Sequence, residues 1–151
     1  MQVHRSETGT WIVHLQKGET VCAALEAFAA EQNIGGARIQ GIAGISDPEL
    51  GCFDLASREF TRQRLSGYFE MVSALGNLSL LPDGKPYAHI HTTLAGPDFR
   101  ALAGHLFEAQ IAVLGEFFIL PEPIPLQREF VPELNVAAWN LEQCGRRADS
   151  R

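Results

Sequence analysis

Apolar and polar residues alternate along several stretches of the chain, which is typical of strands with one buried face. The first stretch is residues 11–16, where Trp11, Val13 and Leu15 fall on one side and His14 falls on the other. Similar patterns predict strands over residues 37–45, 50–55, 60–65, 67–81 and 111–120, with a break in the fourth at Gly76-Asn77. Two further segments, 126–131 and 136–141, are predicted to add a last edge to the sheet.

One segment has the spacing of a helix instead. Val21, Leu25 and Phe28 recur at intervals that place them on one face of a helix, and Thr20 is a suitable N-cap. Glycines and an asparagine after Gln32 predict the end of this helix. The chain therefore begins as a strand and a helix, followed by a meander of strands.

Three segments are predicted to interrupt the strands. Residues 46–48, with the sequence Ser-Asp-Pro, predict a break, and residues 99–110 form a mixed segment that we expect to hold a short helical turn. Residues 82–86 contain an Asp-Gly pair, which readily adopts the positive φ of a tight hairpin turn. That turn leads directly into the segment with the most distinctive chemistry.

Histidines are concentrated just after this turn. His89 and His91 are two residues apart in the predicted strand 87–94, so both side chains lie on one face, roughly 7 Å apart along the strand. His105 is the natural third partner, since three histidines around an open fourth position form a known metal site. The alternative is that the two strand histidines face solvent and His105 caps a turn, and the H-x-H pattern alone does not decide between them.

Length and composition restrict the class of protein. A chain of 151 residues with 46% hydrophobic and 20% charged residues is predicted to form one globular domain. Its three cysteines lack C-x-x-C spacing, which argues against a disulfide framework and a thiolate zinc site and favours a reducing cytoplasm. No apolar run approaches the ~18 residues that would span a bilayer. A formal charge of −6 argues against non-specific electrostatic binding of nucleic acid.

Several short motifs, in this order, resemble those of the PPC domain, the plant and prokaryote conserved domain that is also called PD1-like. They are Gly67-Tyr68-Phe69-Glu70, Gly76-Asn77-Leu78, Asp83-Gly84-Lys85-Pro86, His89-Ile90-His91 and Gly104-His105-Leu106, within a match over about residues 11–120. The resemblance implies an α/β (α+β) fold with a mixed, mostly antiparallel sheet, few helices and a homotrimeric assembly. It also implies a divalent metal site, usually described with zinc, at His89, His91 and His105.

The chain departs from the family in two respects. It lacks the Arg-Gly-Arg-Pro core of the AT-hook that accompanies the domain in plants, and it has Ala103 where a second glycine often precedes Gly104. We expect an N-terminal extension at residues 1–9, one PPC-like domain at 10–142 and, because the last residues are polar and terminal, a frayed tail at 143–151. Because the AT-hook core is missing and the formal charge is negative, the family label "putative DNA-binding protein" transfers poorly to this chain.

Three functions remain open at this stage. The first is a metal-carrying homotrimer of unknown ligand, and the second is a DNA-associated regulator that acts through partners. The third is a small metal-dependent enzyme in which Glu70 or Glu116 serves as an acid, a base or a group behind the metal ligands. No nucleophile, catalytic triad or cofactor fingerprint supports a named reaction.

Overall fold

The secondary structure consists mainly of strands. The structure is a computed structural model and describes residues 1–144, so most of the predicted frayed tail lies outside the described residues. The elements are β1 (Gln2–Arg5), β2 (Trp11–Gln16), α1 (Val21–Glu31), β3 (Ala37–Asp54), β4 (Glu59–Arg64), β5 (Tyr68–Leu80), β6 (Pro86–Ala95), β7 (Ala101–Pro121), β8 (Arg128–Val131) and β9 (Val136–Trp139). The predicted mostly antiparallel sheet with few helices is confirmed.

Seven strands form one sheet in the order β1-β2-β7-β6-β5-β3-β4, and all of these pairings are antiparallel. β3 also pairs with β7, so β3, β5, β6 and β7 form a closed circuit of hydrogen-bonded strands. β1, which lies in the segment assigned to an N-terminal extension, pairs with β2 at the edge of this sheet. The circuit gives β6 a partner on each side, β5 and β7, and so fixes the strand that carries two of the histidines.

Two predicted interruptions are wrong because the strands continue through them. β3 passes through residues 46–48 by means of an irregularity in its pairing with β7, where Asp47 adopts a positive φ of 49°. β7 runs through residues 101–110 without the predicted helical turn, because this part of the strand pairs with β6 and β3. His105 therefore lies inside a paired strand rather than in a turn.

The C-terminal strands also differ from expectation. β8 and β9 form a separate two-stranded sheet, whereas the sequence pattern predicted an additional edge of the main sheet. The segment before β8 contacts the main sheet through a hydrogen bond from the Leu80 N–H to the Leu126 carbonyl, at 2.8 Å. We refer to residues 126–141 as the C-terminal hairpin. It packs beside the end of β5, close to the histidines.

Helix α1 covers one face of the sheet, packing on β6 and β7. Its predicted stripe of Val21, Leu25 and Phe28 is buried, which confirms that interpretation. Thr20 occupies the N-cap position but makes no side-chain cap hydrogen bond. Instead, the carboxylate of Glu108 on β7 accepts hydrogen bonds from the first helical N–H groups, including Cys22 at 2.9 Å. Among residues 1–144, no helix is long and apolar enough to cross a membrane.

Gly76 allows β5 to approach the histidine strand. It pairs with Ile90, and a methyl group at this position would overlap the carbonyl oxygen of His89. The sequence pattern predicted a break at this glycine, but β5 continues through it. The glycine is required by close packing of two backbones rather than by a turn.

We predict that Gly76→Ala lowers the free energy of unfolding by about 1–3 kcal/mol, the usual cost of overfilling a packed site. Urea unfolding of the variant and the wild type measures the difference. Gly96→Ala is the matched control, because a methyl group there would meet its neighbours only at ordinary van der Waals distance. Equal free energies of unfolding for the wild type and Gly76→Ala would contradict the close approach of β5 to β6.

Candidate metal centre

Strand pairing brings the three histidines together. His89 and His91 project from the same face of β6, and His91 stands directly opposite His105 in the antiparallel pairing of β6 with β7. The ring centroids of His89 and His91 are 5.2 Å apart, and the His105 ring lies 5.1 Å from the first and 5.5 Å from the second. The structure thus groups all three residues that the sequence singled out.

The ring nitrogens converge closely enough to share an ion. One nitrogen of each ring lies within 4.8 Å of the corresponding nitrogens of the other two. A tetrahedral ion with bonds of 2.0–2.1 Å holds its ligand nitrogens about 3.3 Å apart, so the three nitrogens would move closer together on binding one ion. The set of neutral imidazole donors suits zinc and similar divalent metals.

The three rings differ in exposure. His91 is exposed and His89 is half-buried, whereas His105 is only 5% exposed. The rings of Phe60 and Phe107 cover His105, with centroids 5.1 and 4.7 Å from it. The Nδ1 atom of His105 is buried and has no hydrogen-bond partner among the described residues. A buried nitrogen without a partner is energetically costly. Binding of a metal ion by this ring would explain why the fold tolerates that cost.

Burial and nearby positive charge favour neutral rings. Burial lowers the pKa of His89 to about 4, and the guanidinium of Arg128 lowers it in the same direction. Burial likewise lowers the pKa of His105 to about 4, with further contributions from His91, Arg128 and Arg62. Metal-free His89 and His105 are therefore neutral at neutral pH.

Arg128 lies at the site although no sequence pattern indicated it. It lies at the start of β8, is 7% exposed, and has an Nη2 atom 3.0 Å from His89 Nδ1. The same guanidinium donates hydrogen bonds to Ser79 Oγ at 2.7 Å and to Asn77 Oδ1 at 3.1 Å. Both oxygens belong to β5, and Asn77 pairs with His89 across the sheet. Only the folded structure places this arginine beside the histidines.

A second arginine contacts one of the rings that cover His105. The guanidinium carbon of Arg62 is 3.7 Å from the centre of the Phe107 ring, and its Nε donates to Glu49 Oε1 at 2.7 Å. Arg62 itself remains exposed. Its contact with Phe107 also covers the ring that shields His105.

The two carboxylates proposed as acid, base or supporting groups are not brought to the histidines. Glu70 pairs with Ala95, four residues past His91, and is hydrogen-bonded to the Tyr68 hydroxyl. Glu116 pairs with residues of β2 and β3, eleven residues past His105 along β7. Strand register therefore separates both carboxylates from the three rings within one chain.

Comparison with known proteins gives a consistent result. A family model described as the Plants and Prokaryotes Conserved (PCC) domain matches residues 3–122. Comparison with curated proteins gives no significant sequence match. His89, His91 and His105 lie within the matched residues, whereas Arg128 lies beyond them.

Solved structures resemble the chain over nearly its whole length. A plant- and prokaryote-conserved (PPC) protein from Pyrococcus horikoshii is 27% identical, with a TM-score of 0.80 and 92% of this chain and 93% of that chain covered. A "putative DNA binding protein" from Bacteroides thetaiotaomicron is 26% identical, with a TM-score of 0.88 and coverage of 93% and 97%. A metal-containing protein from Archaeoglobus fulgidus is 26% identical, with a TM-score of 0.80 and coverage of 92% and 96%.

We predict that acid destabilises the metal-free protein partly through these rings. The pKa values of His89 and His105 are lower in the folded state than the ordinary value near 6.5. As pH falls from about 6.5 towards about 4, the unfolded chain binds more protons, so the free energy of unfolding decreases; above this window the contribution is fully present. Urea unfolding at several pH values, with a chelator present, measures the dependence.

The variant His89→Asn isolates this effect from the titration of carboxylates. Its stability should fall less steeply across the same pH window than that of the wild type, whereas His14→Ala should follow the wild type. Identical pH profiles for His89→Asn and the wild type would show that the fold does not hold this ring in its neutral form.

Proposed function

The chain belongs to the Plants and Prokaryotes Conserved (PCC) domain family, and from this premise we propose that it binds one divalent metal ion through His89, His91 and His105. The convergence of the three ring nitrogens within 4.8 Å is the observation that carries the proposal. The buried Nδ1 atom of His105, which has no hydrogen-bond partner within residues 1–144, supports it, as does the resemblance to a metal-containing protein from Archaeoglobus fulgidus. Zinc is the ion we propose, because neutral imidazoles are among its preferred ligands.

The site has the features of a ligand-binding metal centre. When bound, a metal ion held by three histidines supplies a positively charged fourth position for a water molecule or an anionic ligand. His105 anchors the site from the buried side, while exposed His91 borders solvent. Because neither Glu70 nor Glu116 lies beside the three rings, the proposal is metal and ligand binding rather than a named reaction.

We propose that the protein assembles as a homotrimer through an apolar face of the sheet. Ile42, Val72, Leu75 and Phe118 each expose about half of their surface and line one shallow hollow of about 240 Å³. Four large apolar side chains exposed next to one another favour burial against another copy. Glu116 is exposed in the single chain and also lines this hollow.

The similarity to the Bacteroides protein raises DNA binding as another function for this chain. The formal charge of −6 and the absence of an AT-hook core in the sequence both disfavour it. Two arginines, Arg62 and Arg128, lie near the histidines. Arg128 is buried and Arg62 is paired with Glu49, so neither offers a free cation to a phosphate. We therefore propose metal binding and assembly, and not direct DNA binding, as the function of this chain.

Removing one ligand should abolish metal binding. We predict that purified wild-type protein holds zinc in a ratio close to one ion per chain and that His91→Ala retains almost none. Exposed His91 has few packing roles, so the variant should keep its fold, which circular dichroism can verify. His14→Ala is the matched control, because His14 lies on β2 opposite Glu116 and away from the site. Equal zinc content in the wild type and a folded His91→Ala protein would end the shared-site proposal.

A charge on the apolar face should break the assembly. We predict that light scattering of the wild type reports three times the chain mass of 16.6 kDa. Val72→Glu should give a smaller species, because association would bury a second carboxylate in the hollow that Glu116 already lines, and no cationic side chain among residues 1–144 lines that hollow. Leu55→Glu, at an exposed turn position outside the hollow, should leave the mass unchanged. A monomeric wild type at micromolar concentrations would refute the trimer.

A further inference from the structure

The guanidinium of Arg128 connects the C-terminal hairpin to the histidine cluster. Besides contacting His89, it donates to the Ala137 carbonyl in β9 at 2.7 Å and to the Asn77 and Ser79 side chains in β5. The arginine thus joins three parts of the fold: the hairpin, β5 and one proposed metal ligand. Its position beyond residues 3–122 makes it an addition to the part of the chain that matches the family model.

The chemistry of the two side chains fixes the state of His89 in this contact. Arginine has only hydrogen-bond donors, and a neutral imidazole has one donor and one acceptor nitrogen. With Arg128 Nη2 at 3.0 Å, His89 Nδ1 must accept, and the proton of the ring then lies on Nε2. The contact therefore uses the free lone pair of this ring.

This state is incompatible with metal binding by either nitrogen. If Nδ1 of His89 binds the ion, its lone pair is no longer available to Arg128. If Nε2 binds the ion, Nε2 gives up its proton and the neutral ring carries a proton on Nδ1, so two N–H donors would face each other. In both cases the hydrogen bond from Arg128 to His89 must break.

We propose that Arg128 is a latch that holds His89 in its metal-free form and is released when the metal binds. The proposal rests on the metal site of the proposed function. Release of the guanidinium would also weaken its bonds to Asn77 and Ser79, which tie the C-terminal hairpin to β5. Metal binding would then loosen the attachment of the C-terminal hairpin to β5.

Zinc affinity tests the competition directly. In a titration against a chromophoric chelator, Arg128→Met should bind zinc more tightly than the wild type by on the order of tenfold, the scale on which groups bonded to ligating histidines alter metal affinity. Methionine keeps much of the length of the side chain but cannot donate to His89. Arg100→Met is the control, since Arg100 is an exposed arginine outside the site and should leave affinity unchanged.

The possible results separate the two proposals. Unchanged or weaker zinc binding by folded Arg128→Met would overturn the latch and leave the metal site standing. Weaker binding would mean that Arg128 supports the bound state instead. If neither the wild type nor Arg128→Met binds zinc, the metal site fails and the latch fails with it.

A second measurement needs no substitution of Arg128. Trp139 stands opposite Arg128 in the pairing of β8 with β9, and the sequence has only one other tryptophan, Trp11. In a Trp11→Phe protein, zinc should therefore shift the emission of Trp139 as the hairpin loosens, and the shift should disappear in a protein that also carries His91→Ala. Full zinc occupancy with unchanged Trp139 emission would contradict release of the hairpin.

Discussion

The antiparallel pairing of β6 with β7 is the constraint on which the proposed site depends. It sets His91 directly opposite His105 and extends over only five residue pairs, His91–Ala95 with Ala101–His105. Because side chains alternate between faces, a slip of one residue would move His105 away from the other two rings. The remaining edges of these strands, paired with β5 and β3, hold the register in place. The site is therefore a property of the closed circuit of strands rather than of a flexible loop.

The surroundings of the histidines combine shielding with positive charge. Phe60 and Phe107 cover His105, and Arg128 occupies the remaining hydrogen-bonding position of His89. A site built only to hold a cation would not need a guanidinium against one of its ligands. In the proposed competition between this internal cation and an external metal ion, the site would bind metal only by displacing a group that belongs to the C-terminal hairpin. The part of the chain that matches the family model would supply the ligands, and the segment beyond it would control them.

The sequence predicted the features that depend on local pattern. The helical spacing of Val21, Leu25 and Phe28, the positive φ of Gly84 in the hairpin turn and the common face of His89 and His91 all agree with the structure. Features that depend on distant partners were missed. Residues 101–110 form a strand because both edges are paired, and Arg128 reaches His89 only after the hairpin has folded onto β5. A local pattern contains no signal for such contacts, nor for the separation of Glu70 and Glu116 from the three rings, which strand register sets.

The most direct test is a crystal structure of the zinc-loaded protein with anomalous scattering measured at the zinc absorption edge. We expect one anomalous peak per chain, about 2.0–2.1 Å from a ring nitrogen of each of His89, His91 and His105. The guanidinium of Arg128 should have moved out of hydrogen-bond distance of His89. Zinc bound elsewhere, or bound by the three rings with the Arg128 contact intact, would contradict the central claim that the metal and this arginine compete for one histidine.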